Sequence, residues 1–468
     1  MNRRYSFSVD DDSDKTVNRY EQFISGSSTS GYFDVEEFET IAEYYLRKGR
    51  TKDCSTALDF GLQQHPNNSS LRSKRAKLYL VMGDALKAYR ILETLTEKND
   101  YDIILLKIES LLKLERTQEA KELSGSLFKT TNLNDIDYTA LDIAFIYMNQ
   151  RKFETALQYL KKGNEKNPKN IDILFEMAYC YEQVGDFDQA IASHEQIISI
   201  DAFVSEAWFN LGQIYFSLLQ FTKALEAYDY VLAIDPTDSF ACLQKAHILL
   251  QLQQYEDAIE CYKEYGEMSN DSSQIDIYIA ECYEKLEKFE EAINYYEKTL
   301  FSSPDSYDAL TGIAICLLEL EKFEESIPYI QEALKLQPTA ADAWVYMAEA
   351  YVGLEDNDNA TVAYLKALEY DPQQPETLLA IGNLYFEKAD YQSALKYYYS
   401  AYEQNKDLEH INLFLAVAYF KTGEITLGLD YLQEAVDVDE NAVSLFLELC
   451  PEAITLARTN NPENNESK

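Results

Sequence analysis

Between Ile171 and Val204 apolar residues return twice with the rhythm of a helix. Leu174, Met177, Ala178 and Tyr181 fall at i, i+3, i+4 and i+7, one stripe of a helix surface. Gly185-Asp186 interrupts the stripe. Phe187, Ala190, Ile191, His194, Ile197 and Ile198 then form a second one. The segment predicts two helices packed back to back.

The same pattern recurs every 34 residues. One track of small residues runs Ala42, Ala76, Ser110, Ala144, Ala178, Gly212, Ala246, Ala280, Ala314, Ala348, Gly382 and Ala416. Three positions later stand Tyr45, Tyr79, Tyr147, Tyr181, Tyr215, Tyr283, Tyr351, Tyr385 and Tyr419. Small residues let the backbones of paired helices approach, and large neighbours fill the space around each crossing. Pro66, Pro168, Pro236, Pro304, Pro338 and Pro372 follow the second stripes, where a missing N–H stops a helix. Asp238 and Ser306 are placed to cap the helix that comes next. The third unit departs: Ala120 follows Ser110 by ten residues in place of twelve, and Lys113 replaces the usual Tyr. A shortened turn is expected there.

These residues resemble the tetratricopeptide repeat. Its pattern is met by Trp208, Leu211, Gly212, Tyr215, Ala224, Tyr228 and Pro236, and again by Trp344, Met347, Ala348, Tyr351, Ala360, Tyr364, Ala367 and Pro372. The resemblance implies an all-α solenoid, a right-handed superhelix of antiparallel helix pairs, with about twelve repeats and a C-terminal capping helix. The expected organisation is a flexible acidic segment over 1–34, twelve units over 35–442, a capping helix over 443–458 and a disordered tail over 459–468. Ser25 to Gly31 gives the first segment its flexible composition. Phe446, Leu449 and Cys450 restart the first-helix pattern before Pro451 interrupts it.

In this family first helices line a groove that holds peptides or partner domains. The helical phase puts the residues three before and one after the small position on that inner face. They include Phe175, Tyr179, Phe209, Gln213, His247, Glu281, Glu349, Asn383, Leu413 and Val417. Phe175, Tyr179, Phe209 and Phe216 gather aromatic area on consecutive first helices, as interfaces do. The Lys/Asn set with which some members clamp acidic tails is not assembled here; Lys107 and Asn210 are scattered examples.

Charge narrows the partner. Asp and Glu number 81 against 41 Lys and Arg, a formal net charge of -40. Such a surface repels phosphate backbones, which argues against nucleic acid, and steers cationic partners. Part of the excess is structural: Asp172, Glu206, Asp308, Asp342 and Glu376 fall in the first turn of first helices, where carboxylates meet the helix dipole.

Catalytic and metal chemistry find little support. The four histidines lie in different units, and His194 fills a slot held by Tyr228, Tyr262 and Tyr296 elsewhere, a core position. Cys180, Cys282 and Cys316 share one repeat position, which suits small buried hydrophobes better than nucleophiles. Asp10, Asp12, Asp14 and Glu21 imitate a calcium loop, but Lys15 stands where its sharp turn needs Gly. No enzyme, cofactor or metal site is expected. The scattered cysteines, the missing apolar leader and the lack of a long apolar run suit a cytoplasmic protein that inserts in no membrane. The expected function is a protein-interaction scaffold or adaptor whose groove holds a basic and partly apolar segment. The alternative is a chaperone-like or regulatory module that masks a cationic partner.

Overall fold

Each apolar stripe becomes a helix, and each pair of stripes a helix hairpin. The computed structural model describes residues 11–26, 32–97, 99–133, 135–269, 273–439, 441–451 and 453. Among them are 26 helices and no strand. The chain divides into two units, Met1–Asp235 and Pro236–Lys468.

In the first unit, α1 (Asp11–Ile24) precedes six helix pairs. These are α2 (Val35–Arg47) with α3 (Thr51–Gln64), α4 (Ser69–Val81) with α5 (Ala85–Glu93), and α6 (Tyr101–Lys113) with α7 (Thr117–Thr130). Then come α8 (Ile136–Asn149) with α9 (Phe153–Lys166), α10 (Ile171–Val184) with α11 (Phe187–Ile200), and α12 (Ser205–Ser217) with α13 (Phe221–Ile234).

The second unit pairs α14 (Ser239–Gln251) with α15 (Tyr255–Met268), α16 (Ser273–Lys285) with α17 (Phe289–Ser302), and α18 (Tyr307–Glu319) with α19 (Phe323–Leu336). It continues with α20 (Ala341–Gly353) and α21 (Asn357–Tyr370), α22 (Pro375–Glu387) and α23 (Tyr391–Gln404), and α24 (Ile411–Thr422) and α25 (Ile425–Val438). It closes on α26 (Ala442–Leu449).

The local signals act as the sequence suggests. Second helices end two residues before Pro66, Pro168, Pro236, Pro304, Pro338 and Pro372. The Asp238 side chain accepts from the Ala241 N–H at 3.0 Å, and Ser306 Oγ from the Ala309 N–H at 3.3 Å. Apart from Ser110 in the third unit, the small residues of the 34-residue track are buried in the crossings. Every hairpin turn also contains one residue in left-handed backbone. Gly fills it at Gly49, Gly83, Gly185 and Gly423; Glu115, Arg151, Leu219, Gln253, Glu287, Glu321, Glu355 and Ala389 fill it elsewhere. A left-handed non-glycine residue is unfavourable alone, so packing of the paired helices sustains these turns.

That marker corrects the reading of the third unit. The α6–α7 turn is Leu114, Glu115 and Arg116, with Glu115 left-handed as in the other turns. It is not shortened. The whole pair begins two residues early, so buried Ile108 takes the crossing position assigned to Ser110 and stands twelve before Ala120. Ser110, also buried, spends its hydroxyl on the Leu106 carbonyl at 2.7 Å.

The N-terminal segment differs from the flexible stretch expected over 1–34. Val17, Tyr20 and Phe23 make a short helical stripe inside an acidic run, and α1 folds its apolar side onto the first pair. Tyr20 meets Phe33 edge-on at 5.6 Å, and Arg50 Nη1 bonds Glu21 at 3.0 Å. Composition hid a stripe only three residues long. Residues 1–10 and 27–31 lie outside the described residues, as do 454–458 of the expected cap and the 459–468 tail. At the other end α26 covers the last pair: Phe446 meets Phe420 at 5.0 Å and packs with Leu413, Val417 and Ala435.

Candidate functional site: the inner face of the first helices

A recurring second-helix side chain builds this face from behind. Tyr228, Tyr262, Tyr296, Tyr364 and Tyr398 occupy one repeat position and are buried. Their rings cross the hairpin beside the small residue of the first helix. A Cβ on Gly212 would lie 2.8 Å from the Tyr228 ring, and one on Gly382 would overlap Tyr398. The hydroxyl therefore arrives at the residue that follows the small position, fifteen before the tyrosine.

Three of these hydroxyls find polar partners on the first helix. Tyr262 shares a 2.7 Å hydrogen bond with His247 Nδ1, and Tyr398 donates to Asn383 Oδ1 at 2.8 Å. Tyr296 donates to Glu284 Oε2 at 3.1 Å, one turn beyond Glu281. The rule extends to apolar pairs: Ile330 stands fifteen after Ile315, and Leu432 fifteen after Val417. Polar thus backs polar, and aliphatic backs aliphatic.

In the second unit the face is acidic and aromatic. His247 lies half-buried between Tyr262 and Tyr278, 5.5 and 5.0 Å between ring centres, and burial holds its imidazole below the ordinary value. Glu281 is half-buried; burial first, then Glu284 and Asp308, push its carboxyl up, with Lys285 opposing. The Glu349 carboxyl is raised by its surroundings first and by Glu319 second, yet the residue is exposed. Among the described residues neither Glu281 nor Glu349 has a hydrogen-bond or ion-pair partner. Asp342 accepts from the Tyr307 hydroxyl at 2.8 Å. Asn383 is half-buried.

In the first unit the corresponding face is aromatic. Half-buried Phe175 meets His194 edge-on at 5.8 Å, and half-buried Phe209 meets Tyr228 at 5.4 Å. Tyr179 is 36% exposed and leans on Phe153 at 6.0 Å, while Gln213 is exposed. Phe216 packs on Phe221 at 5.7 Å, inside its own hairpin. His194 is a core residue, as its slot implied, with its Nε2 3.7 Å from Glu182.

Leu413 and Val417 require a correction. Both are buried, at 3% and 1% exposure, because α26 lies over them. They are core positions and take no part in an open face. Sequence reasoning passed over Ile315, Glu284 and Tyr364. The signal was present: Ile315 lies midway between Glu281 and Glu349 at one repeat from each. Among the described residues no group of His, Cys, Asp and Glu could hold a metal ion. No described helix is long and apolar enough to cross a membrane.

Stacked helix hairpins that present, within each unit, a row of first-helix side chains define a protein–protein interaction scaffold. Models of the tetratricopeptide repeat match residues 147–212, 205–238, 243–307, 279–341, 346–409 and 379–443, and the chain belongs to that family. No curated protein matches the sequence. Among solved structures, the APC/C hetero-tetramer Cut9–Hcn1 is similar at 14% identity over 86% of this chain and 98% of that one, with a TM-score of 0.38. The C-terminal part of a TPR repeat-containing protein from Cytophaga hutchinsonii is 18% identical over 50% of this chain and 96% of that one, TM-score 0.44. YrrB, a TPR protein with an unusual peptide-binding site, is 18% identical over 41% and 98%, TM-score 0.36.

Proposed function

We propose that the chain is a non-catalytic cytoplasmic adaptor that holds a basic and partly apolar segment of another protein on the inner face of its first helices. The observation that carries this reading is the pair Glu281 and Glu349, carboxylates raised by their surroundings that have no hydrogen-bond or ion-pair partner among the described residues, Lys285 acting on Glu281 only from a distance. An unmatched carboxylate in such surroundings costs free energy, and an incoming ammonium or guanidinium would recover it. In the first unit, taken by itself, Phe175, Tyr179 and Phe209 offer an aromatic surface suited to apolar side chains. Seven cysteines, all buried and none in a disulfide, suit a reducing compartment.

The test is binding of synthetic peptides to the intact chain at low and at physiological salt. Association of a basic peptide should slow markedly as salt rises. A salt-independent on-rate, or tight binding of an acidic peptide, overturns the reading. Equal binding of any polycation, whatever its apolar content, would favour a masking role over an adaptor. Tyr179→Ala and Phe209→Ala should each weaken binding of an apolar-bearing basic peptide by roughly 1–2 kcal/mol, with the melting temperature almost unchanged.

A further inference from the structure

Four hydroxyl or imidazole groups behind the second unit's face have been accounted for except one. Tyr364 is 6% exposed, and among the described residues its hydroxyl has no hydrogen-bond partner. Its repeat position aims that hydroxyl at Glu349, whose charge it feels. The hydroxyl is the end of an otherwise buried side chain that reaches water, beside a carboxylate with no hydrogen-bond partner, so the two stand together as an open polar pair. One repeat away stands half-buried Ile315, backed by fully buried Ile330. A further repeat away stands Glu281, with Glu284 and the Tyr296 hydroxyl beside it. The three positions are carboxylate, aliphatic, carboxylate, on the neighbouring first helices α16, α18 and α20.

Spacing says what could satisfy all three. Packed helices lie about 8–10 Å apart, so successive positions are separated by about that distance. A polyproline II segment rises about 3.1 Å per residue with three residues per turn, which returns a side chain to the same face every ~9 Å. The two periods agree.

We infer that α16, α18 and α20 together read one extended segment of a partner protein bearing a cation, then an aliphatic residue three positions on, then a second cation three beyond that. The inference rests on the adaptor reading and makes it specific. The first cation pairs with Glu281 and Glu284, and the aliphatic side chain rests on Ile315. The second cation meets Glu349 and gives the Tyr364 hydroxyl its partner. Arginine fits the second place better than lysine, because its planar fork can donate to both the carboxylate and the hydroxyl. Lys285, the cation nearest Glu284 at 3.8 Å, is exposed and free to swing away.

The experiment compares three fluorescein-labelled heptapeptides on the full chain by anisotropy. One has arginine at its first and seventh positions with leucine at the fourth. The second has the same composition with adjacent arginines, and the third replaces both arginines by glutamate. The spaced peptide should bind about tenfold more tightly than the clustered one. E281Q and E349Q should each cost it roughly three- to tenfold, and the double variant should abolish its advantage. Y364F should reduce the preference for arginine over lysine at the seventh position. E324Q, on the exposed side of α19, should change nothing. Equal affinity for spaced and clustered peptides, both above the acidic one, overturns this inference and leaves the adaptor reading intact. If neither basic peptide outbinds the acidic one, both fall. Melting curves of the glutamine variants, expected at or above the parent's, separate lost binding from lost fold.

Discussion

The two units use one hairpin architecture and give their first helices different faces. In the first, Phe175 meets His194, Phe209 meets Tyr228 and Tyr179 leans on Phe153, so ring rests on ring. In the second, His247, Glu281, Glu349 and Asn383 occupy the repeat position that Tyr179 and Gln213 hold in the first, and the tyrosines behind end in hydrogen bonds or in reach of carboxylates. Packing requires the crossing residue to be small and the slot behind it to be filled. It leaves the side chain one position further on to chemistry. Where the backing group is Tyr228, its hydroxyl is buried without a partner. Where it is Tyr398, the hydroxyl is satisfied.

The largest effect should come from emptying the slot. Tyr228→Ala and Tyr398→Ala each remove a fully buried ring and should cost about 3–5 kcal/mol. Stacks of repeats do not unfold as one cooperative block, so hydrogen exchange of the adjoining helices is the proper readout. Protection lost around one site and kept around the other would show that the slot matters in only one unit.

Removing the hydroxyl alone should separate the units. Tyr398→Phe strands the Asn383 carbonyl oxygen and should cost about 1 kcal/mol. Tyr228→Phe removes a buried group that bonds to nothing, and it should be neutral or stabilising. Equal losses in urea titrations of the two variants would erase the distinction drawn between the faces.

The smallest effect concerns acid. Glu281 and Glu349 have folded-state pKa values above the unfolded carboxylate value, so the folded chain binds their protons more readily. The cost of keeping them charged is present above the folded values and disappears as pH falls below the unfolded range, about pH 4. Glu281→Gln and Glu349→Gln should therefore raise the melting temperature slightly at neutral pH and lose that gain below about pH 4. A decrease at neutral pH would mean that these carboxylates are matched after all.

Most of the fold was legible because repetition multiplies weak signals. Twelve small residues, six prolines and two caps each repeat a constraint that would be ambiguous once. The misreadings occur where repetition fails. α1 has a single short stripe and no counterpart against which to align it. The third pair slides as a whole, so its small residue and its turn point to different registers, and the left-handed Glu115 decides between them. Leu413 and Val417 share the repeat positions of open residues, and only the covering helix makes them core. The site was legible as a row of positions but not as a chemistry. Which carboxylates go unmatched depends on Tyr296 and Tyr364 reaching through from the other helix, a relation between residues twelve and fifteen apart on different elements.

The crossing tyrosines have an evolutionary consequence. A substitution hidden on the second helix, such as Ile at position 330 where neighbouring units carry Tyr, alters what a visitor would touch without altering any residue it touches. Selection for new partners can thus act through interior changes, one repeat at a time, while the outermost residues drift. Two homologues with identical exposed rows could still differ in what they hold, and the interior column would be the place to look for the reason.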